Sequence, residues 1–207
     1  MQGITLESLA PQERRADRYV AAFTDGTEIT VNAAQIADFG LYSGRELQPE
    51  ELEELRGALE LNSAKTRALR ILGSRNLSAR EIEKRLTERG ISDLSAKMTV
   101  EWLEEVGAIN DVEYASSIVN YYATKGYGPA RIRDELYKRG IPRDLSDAAM
   151  NGAGADKEAA YDFIKKKLGD SREEIDIRKV TQALYRRGFA FEDAISAVRD
   201  YIKSSDD

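Results

Sequence analysis

The chain has 207 residues and a formal net charge of −6 at pH 7, and it contains neither cysteine nor histidine. The missing cysteine excludes disulfides, thiol nucleophiles and thiolate metal sites, and the missing histidine removes the commonest general base and zinc ligand. No run of 18 apolar residues and no secretory signal is recognisable in the sequence. A metal site made only of carboxylates remains open, although no EF-hand spacing occurs. We expect a cytoplasmic protein that binds no metal or cofactor.

The charge distribution indicates that residues 1–62 form a separate, acidic module. They hold 5 Lys and Arg against 12 Asp and Glu, whereas residues 63–207 hold 26 against 25. Alternating apolar residues predict three short strands, the last two joined by a hairpin at Asp25–Gly26, where both residues tolerate positive φ. Asn32 is a candidate N-cap for a short helix, and Pro49 begins another. The module is either a unit that docks a partner or nucleic acid, or a folding cap or appendage.

One pattern occurs three times in the rest of the chain, at Glu81–Ile91, Arg131–Ile141 and Lys179–Phe189. The copies begin 50 and 48 residues apart, a spacing typical of stacked supersecondary units. Each copy has an apolar pair four residues apart, which marks one face of a helix, and ends in Arg-Gly followed by an apolar residue. Glycine there accepts the left-handed conformation that ends a helix, and arginine suits the negative end of the helix dipole.

The pattern predicts a mostly α-helical protein with three tandem three-helix repeats. They are expected to form a curved elongated array, preceded by the small N-terminal module with its β-hairpin. After the module at 1–62, the repeats are expected at residues 63–109, 110–152 and 153–207. In the first repeat, helices should cover Ala64–Leu72, begin at the capping box of Ser78, and cover Ser95–Val106. The function should then lie on an extended surface rather than in a pocket.

Basic residues become more prominent along the three copies. Residues 79–89 carry 4 basic and 3 acidic side chains, residues 129–139 carry 4 and 2, and residues 178–187 carry 4 and none. Interleaved tyrosines and cations suit nucleic acid or an acidic protein groove, although ordinary solvated helix ends would have the same composition. The candidate partner-binding residues are Arg131, Arg133, Tyr137, Lys138, Lys179, Tyr185 and Arg186.

Other basic residues have a structural interpretation. Arg89, Arg139 and Arg187 recur with the glycines that follow them, so helix termination accounts for them. Lys165–Lys167 are either a phosphate contact or the favourable cationic end of a helix before Gly169. The sequence shows no phosphate-binding loop, nucleophile elbow or catalytic triad. We therefore expect that the protein is not an enzyme.

Two segments, Gly107–Ala115 and Gly126–Ile141, carry a specific motif, and Arg67–Ile91 and Leu184–Phe189 extend it on either side. On these segments the chain resembles the RecX family, bacterial regulators of the RecA recombinase, over residues 63–202. The first 62 residues resemble the N-terminal extension of some longer members. Family members are often basic, and the acidic total of this chain departs from that pattern.

The resemblance implies a non-enzymatic regulator that lodges in the groove of the RecA–DNA filament and restrains ATP hydrolysis and strand exchange. Its setting would be DNA repair, recombination and the SOS response. An elongated helical surface would bridge successive filament subunits, so that weak contacts reinforce one another. The implied partners are the RecA filament and, weakly, single- or double-stranded DNA, with the regulator a monomer. The alternative is a protein that binds DNA directly through tandem helix-turn-helix-like repeats.

Overall fold

The computed structural model describes residues 3–12, 17–73, 75–152, 157–169, 171 and 173–204. Within them lie four strands, β1 (Ile4–Pro11), β2 (Arg18–Phe23), β3 (Glu28–Asn32) and β4 (Glu46–Leu47). The same residues form ten helices, α1 (Ala33–Asp38), α2 (Pro49–Leu72), α3 (Ala79–Thr87), α4 (Asp93–Glu105), α5 (Asp111–Thr124), α6 (Pro129–Lys138), α7 (Arg143–Gly152), α8 (Lys157–Leu168), α9 (Glu174–Arg186) and α10 (Phe191–Ser204). The protein is therefore mostly helical.

The chain divides into two compact units. The first comprises Met1–Arg70 and Leu86–Thr99, and the second comprises Ile71–Arg85 and Val100–Asp207. The boundary expected between residues 62 and 63 falls inside helix α2, and the one expected after residue 152 adjoins 153–156, outside the described residues. None of the described helices has the length and apolar character needed to cross a membrane.

The N-terminal sheet is antiparallel, with the strand order β3-β2-β1-β4. The three expected strands are confirmed, and β4 adds a fourth by pairing with the start of β1. In the hairpin between β2 and β3, Gly26 has a φ of 80° and Asp25 accepts a hydrogen bond from the Thr27 N–H at 2.8 Å. Asn32 caps α1 as expected, and it does so reciprocally with Gln35, since each side chain accepts from the other's backbone N–H.

Helix α2 is one continuous helix of 24 residues. The prediction of a separate helix over Ala64–Leu72 is wrong, because that stretch is the C-terminal part of α2. Gly57 is the only glycine in the helix and Pro49 stands at its first position. A single interior glycine costs only about 1 kcal/mol, which packing overrides. Near its start, α2 buries Leu55 in the core beneath the sheet.

The three Arg-Gly helix ends share one geometry, as predicted. Gly90, Gly140 and Gly188 have φ angles of 80°, 71° and 94°. In each case the glycine N–H, and that of the apolar residue after it, donate back to carbonyls of the last helical turn. The following Ile or Phe is buried or half-buried, so each end is closed both by hydrogen bonds and by an apolar contact.

In the second unit, two groups of three helices each enclose a core. The buried side chains of α5–α7 and the loop joining α6 to α7 include Ile118, Val119, Ile132, Leu136 and Ile141. Those of α8–α10 include Ile164, Leu168, Val180, Leu184 and Val198. The apolar pairs that marked the repeated pattern are buried in α6 and α9. One face of each of these two helices therefore packs inward, and Glu135 of α6 and Thr181 of α9 are buried beside these pairs.

Candidate partner-binding surface

Helix α6 exposes the candidates Arg131, Arg133, Tyr137 and Lys138. Two of these cations are already paired with acids one turn away. The Arg131 Nη2 atom lies 2.9 Å from Glu135 Oε1, and Lys138 Nζ lies 2.6 Å from Asp134 Oδ2. The hydrogen bond to Asp134 raises the pKa of Lys138. These ion pairs follow from the i, i+4 spacing, so the sequence contained the signal for them.

Glu135 is the centre of this ionic network. It is 7% exposed, and its Oε2 atom accepts hydrogen bonds from Arg139 Nη1 at 2.7 Å and from the Tyr122 hydroxyl at 3.0 Å. The hydrogen bond from Arg139 holds the pKa of Glu135 below its ordinary value, against the opposing effect of burial, with help from Tyr122 and Arg131. Arg139 is therefore engaged by its own helix, which agrees with the structural role expected for it.

Arg133 and Tyr137 lie one turn apart on another side of α6, where they line a groove of about 860 Å³. Tyr137 is 81% exposed. Arg133 forms no ion pair with any carboxylate in the described part of the chain. Arg80 of α3 and Arg143 of α7 line the same groove, and the Arg143 side chain is 96% exposed. An open groove with an exposed aromatic ring and several cations suits an extended partner.

Sequence reasoning missed the outer walls of this groove. Arg80 and Arg143 stand about 60 positions apart in the chain, and no spacing rule connects them. The groove also contains Glu83, Asp111 and Asp147, so its charge is mixed rather than uniformly basic. Mixed charge favours a partner that presents both signs, as a protein surface does.

Helix α9 carries the remaining candidates, and its last turn has a different charge balance. Lys179 Nζ lies 3.4 Å from Asp176 Oδ1. Gln182 and Ala183 occupy the positions equivalent to the two acids of α6, so Arg186 has no acid one turn before it. Among the residues the structure describes, no carboxylate pairs with Arg186. The end of α9 therefore presents a cation that no acid of the described residues neutralises.

Tyr185 extends this exposed end of α9. It is 59% exposed, and its ring lies 6.2 Å from the ring of Phe191, which is 54% exposed. Tyr185 and Arg186 thus repeat, on α9, the exposed pair Tyr137–Lys138 of α6. Among the described residues, no ion pair or ring contact joins the candidates of α6 to those of α9. Each helix therefore presents its own exposed pair of a tyrosine and a cation.

Arg187 instead holds the two helix groups of the second unit together. Its Nη1 atom donates to the carbonyl oxygens of Lys125 at 2.7 Å and Gly126 at 3.2 Å. The guanidinium lies over the rings of Phe163 and Tyr127, 4.1 and 4.9 Å from their centroids. Arg187 therefore does more than end a helix, and its guanidinium is not available to a partner.

The described residues contain no group of three acidic side chains placed to hold a metal ion. What the second unit offers is a groove, exposed tyrosines and several cations. These features suit binding to a macromolecular surface.

The chain is similar to known proteins along most of its length. Residues 110–150 match the family model described as RecX, second three-helix domain. The regulatory protein RecX of Stenotrophomonas maltophilia (strain R551-3) is 36% identical over 126 residues, covering 59% of this chain and 77% of that protein. The protein of the same name from Xanthomonas campestris pv. campestris (strain B100) is 39% identical over 127 residues, covering 59% and 78%. That of Bacillus subtilis (strain 168) is 27% identical, covering 98% of this chain and 78% of its own length.

Two crystal structures have a similar fold. One, of a regulatory protein RecX, has a TM-score of 0.73 at 24% identity and covers 95% of this chain and 99% of its own. The other, of RecX from Lactobacillus salivarius, has a TM-score of 0.64 at 22% identity and covers 71% and 99%. At these identities the likeness is one of fold.

Proposed function

This chain belongs to the RecX family of regulatory proteins, and on that premise we propose that it binds in the groove of the RecA–DNA filament and inhibits the recombinase. In this proposal it acts as a cytoplasmic monomer without catalytic activity of its own, and it reduces ATP hydrolysis and strand exchange during DNA repair, recombination and the SOS response. The observation that supports it is the repeated exposed pair, Tyr137–Lys138 on α6 and Tyr185–Arg186 on α9.

Two similar exposed pairs on one protein suit a partner built of repeated subunits, such as a filament. Each pair alone is a small contact, but two similar contacts on adjacent filament subunits gain from high effective concentration. Such bridging would obstruct access to the bound DNA. The proposal includes the division of the chain into a module at 1–62 and three-helix repeats at 63–109, 110–152 and 153–207. The separate cores of α5–α7 and α8–α10 support the last two repeats.

A second candidate function is direct DNA binding through helix-turn-helix-like repeats. The cation of Arg186, which no acid in the described residues neutralises, favours it. The net charge of −6 and the ion pairs of Arg131 and Lys138 weigh against it, because phosphate contacts need free cations. We therefore propose weak, strongly salt-dependent binding to bare single- or double-stranded DNA and tighter binding to the filament.

The test measures how the full chain suppresses ATP hydrolysis by RecA on single-stranded DNA. The variant is the double reversal Lys138→Glu with Arg186→Glu, and the control is Lys165→Glu with Lys166→Glu, which makes the same charge change on the exposed side of α8. We expect the first variant to need roughly tenfold more protein for half-inhibition, which corresponds to about 1.4 kcal/mol of binding. The control should inhibit like the parent protein.

Two results would contradict the proposal. Equal inhibition by the parent and the Lys138/Arg186 variant would place the binding surface elsewhere. Binding of the parent to bare DNA as tightly as to a preformed filament would favour the second candidate. Circular dichroism of each variant shows whether it is folded, and exposed charge changes usually shift stability by under about 0.5 kcal/mol.

A further inference from the structure

A second cleft, of about 270 Å³, lies in the first unit and takes no part in the proposed function. Its walls are the start of β2, the end of β3, the first turn of α1 and the C-terminal half of α2. It contains three arginines, Arg18 from the sheet and Arg67 and Arg70 from α2. Arg67 and Arg70 are three positions apart, so they project from adjacent turns of the same helical face.

The charge of this cleft is opposite to that of residues 1–62, which supply the rest of its walls beside the end of α2. Residues 1–62 have 12 acids and 5 bases, yet none of the eleven residues that line the cleft is Asp or Glu. Across the described residues, none of the three cleft arginines forms an ion pair with a carboxylate. Arg67 donates one hydrogen bond, from Nη1 to the Arg89 carbonyl at 3.2 Å, which leaves most of its five N–H donors free. The cleft therefore concentrates positive charge that no carboxylate among the described residues neutralises.

Two side-chain amides in the cleft, those of Asn32 and Gln35, have donors that the capping box leaves unused. The side-chain oxygens of Asn32 and Gln35 are used by the capping box of α1, where they accept the N–H groups of Gln35 and Asn32 at 2.8 and 2.9 Å. With their oxygens fixed in this way, the two amide NH₂ groups remain available as donors. Neutral donors beside arginines make a lining that fits an anion with several acceptor oxygens.

The size and polarity of the cleft narrow the class of ligand further. A volume of 270 Å³ equals that of about nine water molecules at roughly 30 Å³ each, more than one inorganic anion needs. Drug-like small molecules favour larger and mainly apolar pockets. Planar arginine forks match phosphate oxygens in pairs, and three of them on two walls suit a phosphate that carries further groups.

From this geometry we infer that the cleft lined by Arg18, Arg67 and Arg70 binds a backbone phosphate of a nucleic-acid strand. The arginines contact the phosphate oxygens, and the Asn32 and Gln35 amides donate to the same phosphate or to the attached sugar. This site is distinct from the exposed residues of α6 and α9. It gives the first unit a role of its own in holding DNA, independent of whether the proposed inhibition of RecA is correct.

The experiment measures binding of the full chain to a fluorescein-labelled single-stranded oligonucleotide by anisotropy, over a series of salt concentrations. The variants are Arg18→Glu and Arg70→Glu, since neither side chain makes a hydrogen bond or ion pair within the described residues. The matched control is Arg56→Glu, which makes the same charge change on the same helix outside the cleft, where Arg56 pairs with the exposed Glu53. If a charge-reversal variant does not fold, the milder variants Arg18→Gln and Arg70→Gln replace it in the same measurement.

We expect each cleft variant to bind the oligonucleotide at least about tenfold more weakly at low salt. The negative slope of the logarithm of the association constant against the logarithm of the salt concentration should become shallower by about 0.7 for each lost phosphate contact. The control should stay within about twofold of the parent, as expected for an exposed pair. Equal weakening by the cleft variants and the control would overturn the inference, because binding would then reflect net charge alone. Displacement of the oligonucleotide by polyglutamate as efficiently as by unlabelled oligonucleotide would also overturn it, because the cleft would then be a carboxylate site.

Discussion

Gly128 and Gly188 are in backbone contact across the two helix groups of the second unit. A Cβ atom on Gly128 would lie 2.4 Å from the carbonyl carbon of Gly188, a distance that real Cβ atoms do not adopt. The Gly128 N–H donates to the Arg187 carbonyl at 2.9 Å, and the Ala130 N–H donates to the Gly188 carbonyl at 3.0 Å. The start of α6 thus rests directly on the Arg-Gly end of α9.

Alanine substitutions at Gly90, Gly128 and Gly188 should distinguish two contributions to the cost in stability, namely the strain of a positive φ and the crowding of a new Cβ atom. Gly90 has a φ of 80° and open space around it, so Gly90→Ala should cost only the left-handed strain of about 1–2 kcal/mol. Gly128 has an ordinary φ of −81°, so Gly128→Ala should cost only the crowding, about 1–3 kcal/mol. Gly188 has a φ of 94°, and its Cβ would lie 2.4 Å from the Arg131 backbone nitrogen, so Gly188→Ala should lower the free energy of unfolding most. Urea unfolding followed by circular dichroism measures this order, and equal costs for Gly90→Ala and Gly188→Ala would contradict the close contact.

Arg186 and Arg187 are adjacent in the chain, but their replacement by lysine should affect stability differently. Arg187→Lys replaces a planar fork that reaches two carbonyls and two aromatic rings, and we expect a loss of about 1–2 kcal/mol in the free energy of unfolding. Arg186→Lys should leave stability within about 0.5 kcal/mol of the parent, because Arg186 is exposed. Thermal unfolding of the two variants side by side tests this. A stable Arg187→Lys protein would show that the stacked geometry contributes little.

The ionic network of Glu135 predicts a pH dependence of stability. Because the folded pKa of Glu135 lies below its ordinary 4.5, the stability that its ionised form contributes is present above pH 4.5 and is lost as the pH falls through the folded pKa. Glu135→Gln should therefore be less stable than the parent at pH 7. The difference should shrink as the pH falls below 4.5, since protonated Glu resembles Gln. Urea midpoints between pH 7 and pH 3 measure this, and a constant difference over that range would rule out the ionised network as its source.

Among the described residues, Tyr137 is the most exposed large apolar side chain, so its replacement should affect binding and not folding. Tyr137→Ala should unfold within about 0.5 kcal/mol of the parent, because an 81% exposed ring buries little area. Under the proposed function it should weaken filament binding by more than about 1 kcal/mol, or fivefold, as aromatic residues at the centre of an interface do. Tyr42→Ala is the matched control, since Tyr42 is 63% exposed and lies outside the groove. If the two variants bind the filament equally well, the α6 groove is not the contact surface.

Several features could be predicted from the sequence alone because they depend on residues that are close together in the chain. The Arg-Gly-apolar ends, the capping box of Asn32 and the Asp25–Gly26 hairpin depend on residues within a few positions of one another, and each is present as expected. The apolar pairs of α6 and α9 are buried because helical periodicity alone selects their face. The pairing of Lys138 with Asp134 belongs to the same class, since it joins neighbouring turns.

Other features depend on contacts between distant parts of the chain, and only the tertiary structure decided them. Gly90 and Gly188 have the same local pattern, yet only Gly188 packs against another helix. Arg186 and Arg187 are sequence neighbours, yet only Arg187 reaches the carbonyls of residues 125 and 126. The cleft of the first unit brings together Arg18 and Arg70, about 50 residues apart, and no local rule relates them. Propensity and periodicity determine where a helix ends, whereas close packing between helices determines which side chains remain free to bind a partner.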